Sequence, residues 1–557
     1  MFAAPSWGIS APAPPEMIGV HASEAEHPAV AEFFELFKTP WEFYRPGTRY
    51  DVLLTSSNWI PQNDAALFVI YGSQANTFGD RQTVTTRRGP TLITLGGERI
   101  PIYGSYLVSD MGADELLFYQ TQQSFSPAPK FGGHQTVVRL GFDLFREVRH
   151  LLTVGQPPEF ADRPTVELHI TTLRNLIVRN QLPLIEILPI PAGHAFIVCL
   201  THDVDHPRVR YHRFDHTMFG FLYRAVVGST VQFYRGRRSL GQLAVNWKAA
   251  ISLPFVFAGL VNDFWDQVNE YLKLEKELAS TFFIIPIKHD PGFDPHGGAN
   301  SRRAVSYDVT DVAGDLEKLQ SPNREVGVHG VDAWRDVTKG RMERERIQAI
   351  TGQRHLGVRM HWLYFDLQTP VALEKAGFVY DSTVGYNETI GYRAGTTQVF
   401  KPLNADRLLE LPLHIMDTAL FYPAYMNLSD EQASAAMRPL ISNASRFGGV
   451  LTTNWHDRSL APERLWSQPY RQLLHELKDS DPWFATGNDA VSWFRKRRGA
   501  SINEISNEGH IFRAELSLTE DADRLPSLVA RVHTPMRRDK PFVDVSVASP
   551  GKIEVPI

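Results

Sequence analysis

The chain has 557 residues, too many for one hydrophobic core, so several domains of ordinary size are expected. Hydrophobic residues make up 43%, aromatic residues 11% and charged residues 21%, a globular mix that excludes a largely disordered chain. With 57 Lys and Arg against 62 Asp and Glu there is no overall positive field to attract nucleic acid, and the single cysteine, Cys199, excludes an intrachain disulfide.

The start of the chain has neither the basic residues nor the continuous apolar stretch of a secretory signal. Cytoplasmic residence is therefore the default expectation, with residues 1–28 read as a loose leader rich at first in Ala and Pro. Residues 29–195 mix helical stretches (30–37, 140–152, 165–181) with strand-like runs (50–54, 66–71) and read as an α/β domain of unknown role. Pro189 and Pro191 mark its end. Over 196–497 the pattern alternates. Strands are expected at 196–200, 280–286, 325–329, 357–361, 378–381, 408–413 and 448–455, and helices at 264–278, 311–319, 340–351 and 369–375. The fold class is thus α/β, with a distorted (β/α) barrel of about seven parallel strands between the N-terminal domain and a small β appendage at 498–557.

Four polar clusters fall at the C-terminal ends of these strands, where parallel α/β barrels carry their chemistry. They are Thr201 to His206 (sequence THDVDH), His329 to Asp332, Arg359 to Trp362 and Asn454 to Arg458. Asp203 and Asp205 lie two apart, a spacing that lets one carboxylate ligate a metal while the other accepts a proton once the strand end turns. His329 closes its strand before Gly330, leaving room for an ion beside the ring.

In order and spacing these strings resemble the motifs of the polysaccharide deacetylase superfamily, carbohydrate esterase family 4 and its relatives, over about 300 residues. The runs at 280–286, 325–330, 378–383 and 391–396 add to the likeness, the last two to a subgroup whose first motif reads His-Asp-Val-Asp. The resemblance implies a NodB-like barrel, one divalent ion, zinc first among candidates, and Asp203 as general base with Asp205 and His329 as ligands. It also implies that Arg359 pairs with the catalytic Asp, that His456 is the general acid for the leaving group, and that Arg393 lies with the substrate. Asp457 is the candidate to orient His456. The family's second histidine is replaced by Ala333, so a replacement ligand is sought elsewhere: His361, two residues after Arg359 on the same side of its strand, is the choice, with Asp332 or no third protein ligand as the alternatives. Trp334 and Trp362 are placed to stack on a sugar, with core packing as the other reading of each.

The resemblance thus implies a hydrolase removing acetyl groups from carbohydrate, N-acetyl before O-acetyl, in cell-envelope or exopolysaccharide synthesis. The alternatives are a glycan-binding barrel without catalysis, motivated by Ala333, and hydrolysis of a non-carbohydrate amide. Residues 207–248 hold eight Lys and Arg against Asp215 alone, interleaved with aromatics and followed by the apolar run 249–261, itself shorter than the ~18–20 residues that span a bilayer. That insertion suits either a solvated hairpin packed on the N-terminal domain or contact with an anionic acceptor, a nucleotide sugar or a lipid-linked one at the inner membrane surface.

Overall fold

The computed structural model describes residues 18–56, 65–74, 84–109, 118–124, 134–295, 301–508, 511–518, 524–537 and 539–556. An N-terminal sheet runs in the order Trp41–Phe43, Ile18–His21, Val52–Thr55, Leu67–Tyr71, His134–Leu140, Phe118–Ser124, parallel except for its last pair. Helices His27–Phe37, Leu144–Thr153 and Thr165–Arg179 share its core. Ile18–His21 and the start of the first helix fall inside the stretch read as leader: two apolar residues, Ile18 and Val20, are buried there and pin the strand between two neighbours. The remainder of that leader, 1–17, lies outside the described residues.

The second unit is a curled, all-parallel half-barrel. We number its strands β1 (Ile197–Val204), β2 (Ser280–Ile284), β3 (Arg324–Gly330), β4 (Gly357–Met360), β5 (Tyr380–Asp381), β6 (Leu409–Glu410), β7 (Ile415–Met416), β8 (Val450–Asn454) and β9 (Trp483–Phe484). Their order is β6-β5-β4-β3-β2-β1-β8-β7, with β9 also paired to β1. All eight residues of β1 are buried, which is why it reads as a run without polar alternation at its start: it lies between neighbours on both edges with both faces covered. The two edge strands, β6 and β7, are separated only by residues 411–414, so a few residues of main chain cross the gap that a closed barrel would fill with a ladder.

The expected strands are present, and the reading missed two short ones, β7 and β9, each too brief to show a period. Beyond helix Gly487–Gly499, Ser501–Glu508, Ile511–Ser517 and Gly551–Pro556 form one antiparallel sheet. Leu528–His533 and Phe542–Val547 instead form a sheet with Leu184–Ile187, so the C-terminal segment is stitched to the end of the N-terminal one. Glu186 fastens that seam, accepting from Arg174 Nε and Nη2 and from His533 Nε2, each at 2.7 Å.

Candidate active site and metal centre

The parallel ladders bring the polar strand ends level. Thr201 is paired with Asn454, Asp203 with Phe283 and His329 with Arg359, so β1, β3, β4 and β8 deliver their last residues to one place. Asp205 stands just beyond the end of β1 and His361 just beyond β4.

There Asp205, His329 and His361 converge as a group that could hold a metal ion. Asp205 Oδ1 is 3.3 Å from His329 Nε2 and 3.3 Å from His361 Nδ1, and the two ring nitrogens are 3.1 Å apart. Each imidazole uses its other nitrogen on a carbonyl: His329 Nδ1 on Arg359 at 2.9 Å, His361 Nε2 on Arg303 at 3.2 Å. A carbonyl can only accept, so those nitrogens carry the hydrogens and the inward-facing ones present lone pairs. Asp205 Oδ1 is a buried oxygen with no hydrogen-bond donor. Three acceptors facing one another without a donor suit a cation, and outer carbonyls that fix the tautomer are the usual support of histidine ligands. The donor set therefore fits the implied ion.

His361 reaches this position through an unusual turn. Trp362 and Leu363 have φ of 66° and 53°, a left-handed pair that costs side-chain-bearing residues energy. Arg303 Nη2 holds the His361 carbonyl at 3.0 Å and Asn387 Nδ2 holds that of Trp362 at 3.2 Å, so the surroundings fix the turn. Ala333, where the family has its second histidine, is fully buried, and its Cβ lies 3.1 Å from where a Cβ on Gly340 would stand, so residue 333 packs closely against helix Val337–Thr351. Asp332 is taken: it pairs with Lys339, and its Oδ1 accepts from the Phe293 amide at 2.8 Å.

Asp203 is clamped from two sides. Arg359 Nη1 donates to Oδ1 at 3.0 Å and Asn454 Nδ2 to Oδ2 at 2.7 Å. Burial favours the neutral acid, but the Arg359 guanidinium, aided by His329 and His456, holds the carboxyl below its ordinary range, so it stays ionised. Arg359 is itself fully buried and bonded to Thr201 Oγ1, Ser382 O and Ser382 Oγ. Its charge is thus fixed in place.

His456 faces the group from β8, with Nε2 3.8 Å from Asp205 Oδ2. Its orienting partner is Asp417, not Asp457. Asp417 Oδ1 is 2.6 Å from His456 Nδ1 and Oδ2 accepts the His456 amide at 2.7 Å, while Asp457 Oδ2 accepts from the His206 amide at 2.9 Å. Burial pushes His456 down, yet Asp417 first, with Asp205 and Asp203, raises it to about 10, so the ring is an imidazolium at neutral pH. Burial and the neighbouring Asp205 push Asp457 up to about 7. Asp417 follows the two-residue strand β7, and an acid at a strand's C-terminal end is the same signal that exposed the other clusters; the strand was too short to be read.

The remaining candidates part company. Trp362 is 36% exposed, with its ring centroid 6.0 Å from that of His361, whereas Trp334 is 5% exposed and packed edge-on against Tyr364. Arg393 turns toward the N-terminal domain. Its guanidinium lies 4.8 Å from the Phe365 ring centroid, its carbonyl accepts from the Gln156 amide at 2.8 Å, and it lines a cavity of about 290 Å3 with Leu151, Val384 and Phe400. The glycines around it serve that docking: a Cβ on Gly391 (φ +139°) would stand 2.1 Å from the Ala161 carbonyl oxygen, and one on Gly395 (φ +66°) 2.6 Å from Leu151.

No protein-family model matches the chain, and no curated protein matches it in sequence. Among solved structures it is similar to a probable polysaccharide deacetylase from Pseudomonas aeruginosa PAO1, at 12% identity and a TM-score of 0.33 over 55% of this chain and 92% of the other. It is similar to Puue allantoinase at 15% identity and a TM-score of 0.34, over 55% and 92% of the two chains. Agd3, a novel carbohydrate deacetylase, aligns at 8% identity and a TM-score of 0.36 over 98% of this chain and 99% of its own.

Proposed function

We propose that this chain is a metal-dependent carbohydrate deacetylase whose catalytic unit is the barrel of residues 196–497. The observation that carries the reading is the acceptor-only group of Asp205, His329 and His361, flanked by an ionised carboxylate on one side and an imidazolium on the other. Two imidazoles and one carboxylate suit zinc, which takes three protein ligands in catalytic sites and leaves a position open. When bound there, the ion supplies Lewis acidity toward an acyl carbonyl and toward water.

The chain's own residues supply the rest. Asp203, kept ionised by Arg359, accepts the proton of the attacking water. His456, kept protonated by Asp417, gives a proton to the departing atom. That donor favours N-acetyl over O-acetyl substrates, because an amine leaves readily only after protonation. The exposed indole of Trp362 beside His361 supports a sugar as the ring that binds, and the likeness of the motifs to polysaccharide deacetylases supports the same class. The basic insertion after β1 supports an anionic acceptor, lipid-linked or nucleotide-linked, handled by a cytoplasmic enzyme of cell-envelope or exopolysaccharide synthesis. Residues 18–195 we read as a domain that braces the barrel through the 391–397 segment, and 498–557 as a packing cap.

The test is acetate release from N-acetylated and O-acetylated saccharides, with metal content measured in parallel. Purified protein should hold about one divalent ion per chain and release acetate, and His361→Ala should lower both. Full metal content in that variant removes His361 from the ligand set. A fully loaded wild type that releases acetate from neither substrate overturns the deacetylase reading.

A further inference from the structure

The insertion between β1 and β2 is built inside out. Helical segments His216–Leu222, Tyr223–Gly228 and Ser229–Tyr234 run on from one another, the middle one a π-helical stretch, and the chain returns as helix Leu240–Phe257, started by a capping box of Ser239 and Gln242. Trp247 Nε1 donates to Thr230 Oγ1 at 3.3 Å and ties the two arms together. The face that packs inward from the second arm is modest, Asn246, Ala249, Leu253 and Val256. The outward face carries Leu240, Trp247, Ile251 and Phe255 on that arm and Phe219, Tyr223, Val227 and Val231 on the first, all exposed. Of the 21 large hydrophobic side chains exposed among the described residues, 13 lie between Phe214 and Val261. A helix pair made for water would put charge on that face.

Charge marks what covers it. From His216 to Asn262 there is no acidic residue, and five basic ones are present: Arg224, Arg235, Arg237, Arg238 and Lys248. Three of these cluster at the turn between the arms. A second copy of the same face would set like charge against like. Among the described residues no helix is long and apolar enough to cross a membrane. Aromatic and aliphatic side chains outward, basic residues among them and no acid are the requirements for lying in the boundary between anionic headgroups and acyl chains.

We infer that the Phe214–Val261 hairpin docks the protein on an anionic lipid bilayer, lying flat in its interface rather than spanning it. The hairpin is braced against the site. Trp265 Nε1 donates to Glu463 Oε1 at 2.7 Å, Ala461 joins the hairpin's core, and the Arg458 guanidinium lies 4.9 Å from the Trp265 ring centroid, two residues from His456. The docked hairpin therefore holds the His456 loop near the bilayer surface. Docking itself is independent of the deacetylase reading; that the acceptor glycan is tethered to lipid rests on it.

Flotation of the full chain with vesicles of phosphatidylcholine alone, or with phosphatidylglycerol added, tests the docking. Wild type should float with the anionic vesicles, and Arg235→Ser with Arg237→Ser should weaken partitioning roughly 25-fold. Ile251→Asp with Phe255→Asp, both at exposed positions, should abolish it while leaving the melting temperature unchanged. Cys199 is buried, so a polarity-sensitive dye on Ile251→Cys reports one position and should shift to the blue when anionic vesicles are added. Asp203→Asn should float like wild type, which separates failure of docking from failure of catalysis. The inference is overturned if wild type floats with neither vesicle, or if it sediments as a dimer without lipid and Ile251→Asp makes it a monomer, which would assign the face to a second copy.

Discussion

Asp417→Asn isolates what the buried carboxylate does for His456. The side chain of His456 is 15% exposed and that of Asp417 is fully buried, with 2.6 Å between Nδ1 and Oδ1. Raising the imidazole from 6.5 to about 10 corresponds to roughly 5 kcal/mol of preference for the charged ring, gained against burial and chiefly from Asp417. Asparagine keeps the shape and the acceptor but removes the largest of the charges that oppose burial, so the ring loses its proton at a lower pH than in wild type, with Asp205 and Asp203 still favouring the imidazolium. The sign follows for stability: because the folded value is raised, the stabilisation from the imidazolium is whole below pH 6.5 and fades as pH climbs toward about 10. In metal-stripped protein with labelled histidines, the resonance absent from His456→Gln should titrate near the alkaline end in wild type and at clearly lower pH in Asp417→Asn. Turnover at neutral pH should fall by ~10²–10⁴-fold, the usual worth of a general acid. A His456 that titrates alike in wild type and Asp417→Asn would refute the coupling.

Asp203→Asn should retain the metal and lose turnover by ~10²–10⁴-fold, whereas Asp205→Asn should lose both; elemental analysis beside the acetate assay would detect a reversal of the two roles. Trp362→Ala, at an exposed position, should raise KM with little change in melting temperature, while Trp334→Ala, in the core, should cost about 3–5 kcal/mol by denaturant unfolding. Arg174 and His533 hold Glu186 at about 2 despite burial, against an ordinary 4.5, so it contributes roughly 3 kcal/mol above pH 4.5 that drains away as pH falls toward about 2. Glu186→Gln should lower stability at neutral pH and flatten the loss between those two values; an unchanged acid unfolding curve would remove the triad from the seam.

How much of this was legible depends on where each signal resides. The barrel strands were readable because continuous apolar runs such as 196–200 end abruptly in polar clusters, and the placement of those clusters at strand ends led to Asp203, Asp205, His329, Arg359 and His456 together. Pairings between distant segments leave no local trace, so Leu184–Ile187 gave no hint of its partner Leu528–His533. Asp417 was missed because β7 has only two residues, and Asp457 took its place in the reading although neighbours on a strand face opposite ways. The insertion was legible as charge and aromatic content but not as a helix pair turned outward, since burial, not composition, decides which face is covered.

The same period-two rule explains why the site can do without a histidine at 333. Arg359 and His361 lie two apart around the end of β4, as Asp203 and Asp205 do around the end of β1, and the pairs meet in register: Arg359 with Asp203 at 3.0 Å, His361 with Asp205 at 3.3 Å. In the proposed roles, one strand end thus supplies both the charge that keeps Asp203 ionised and a candidate ligand where Ala333 offers none. A change in the left-handed turn at Trp362 would move His361 while leaving Arg359 on its strand, so metal affinity and the ionisation of Asp203 are separable properties of neighbouring residues.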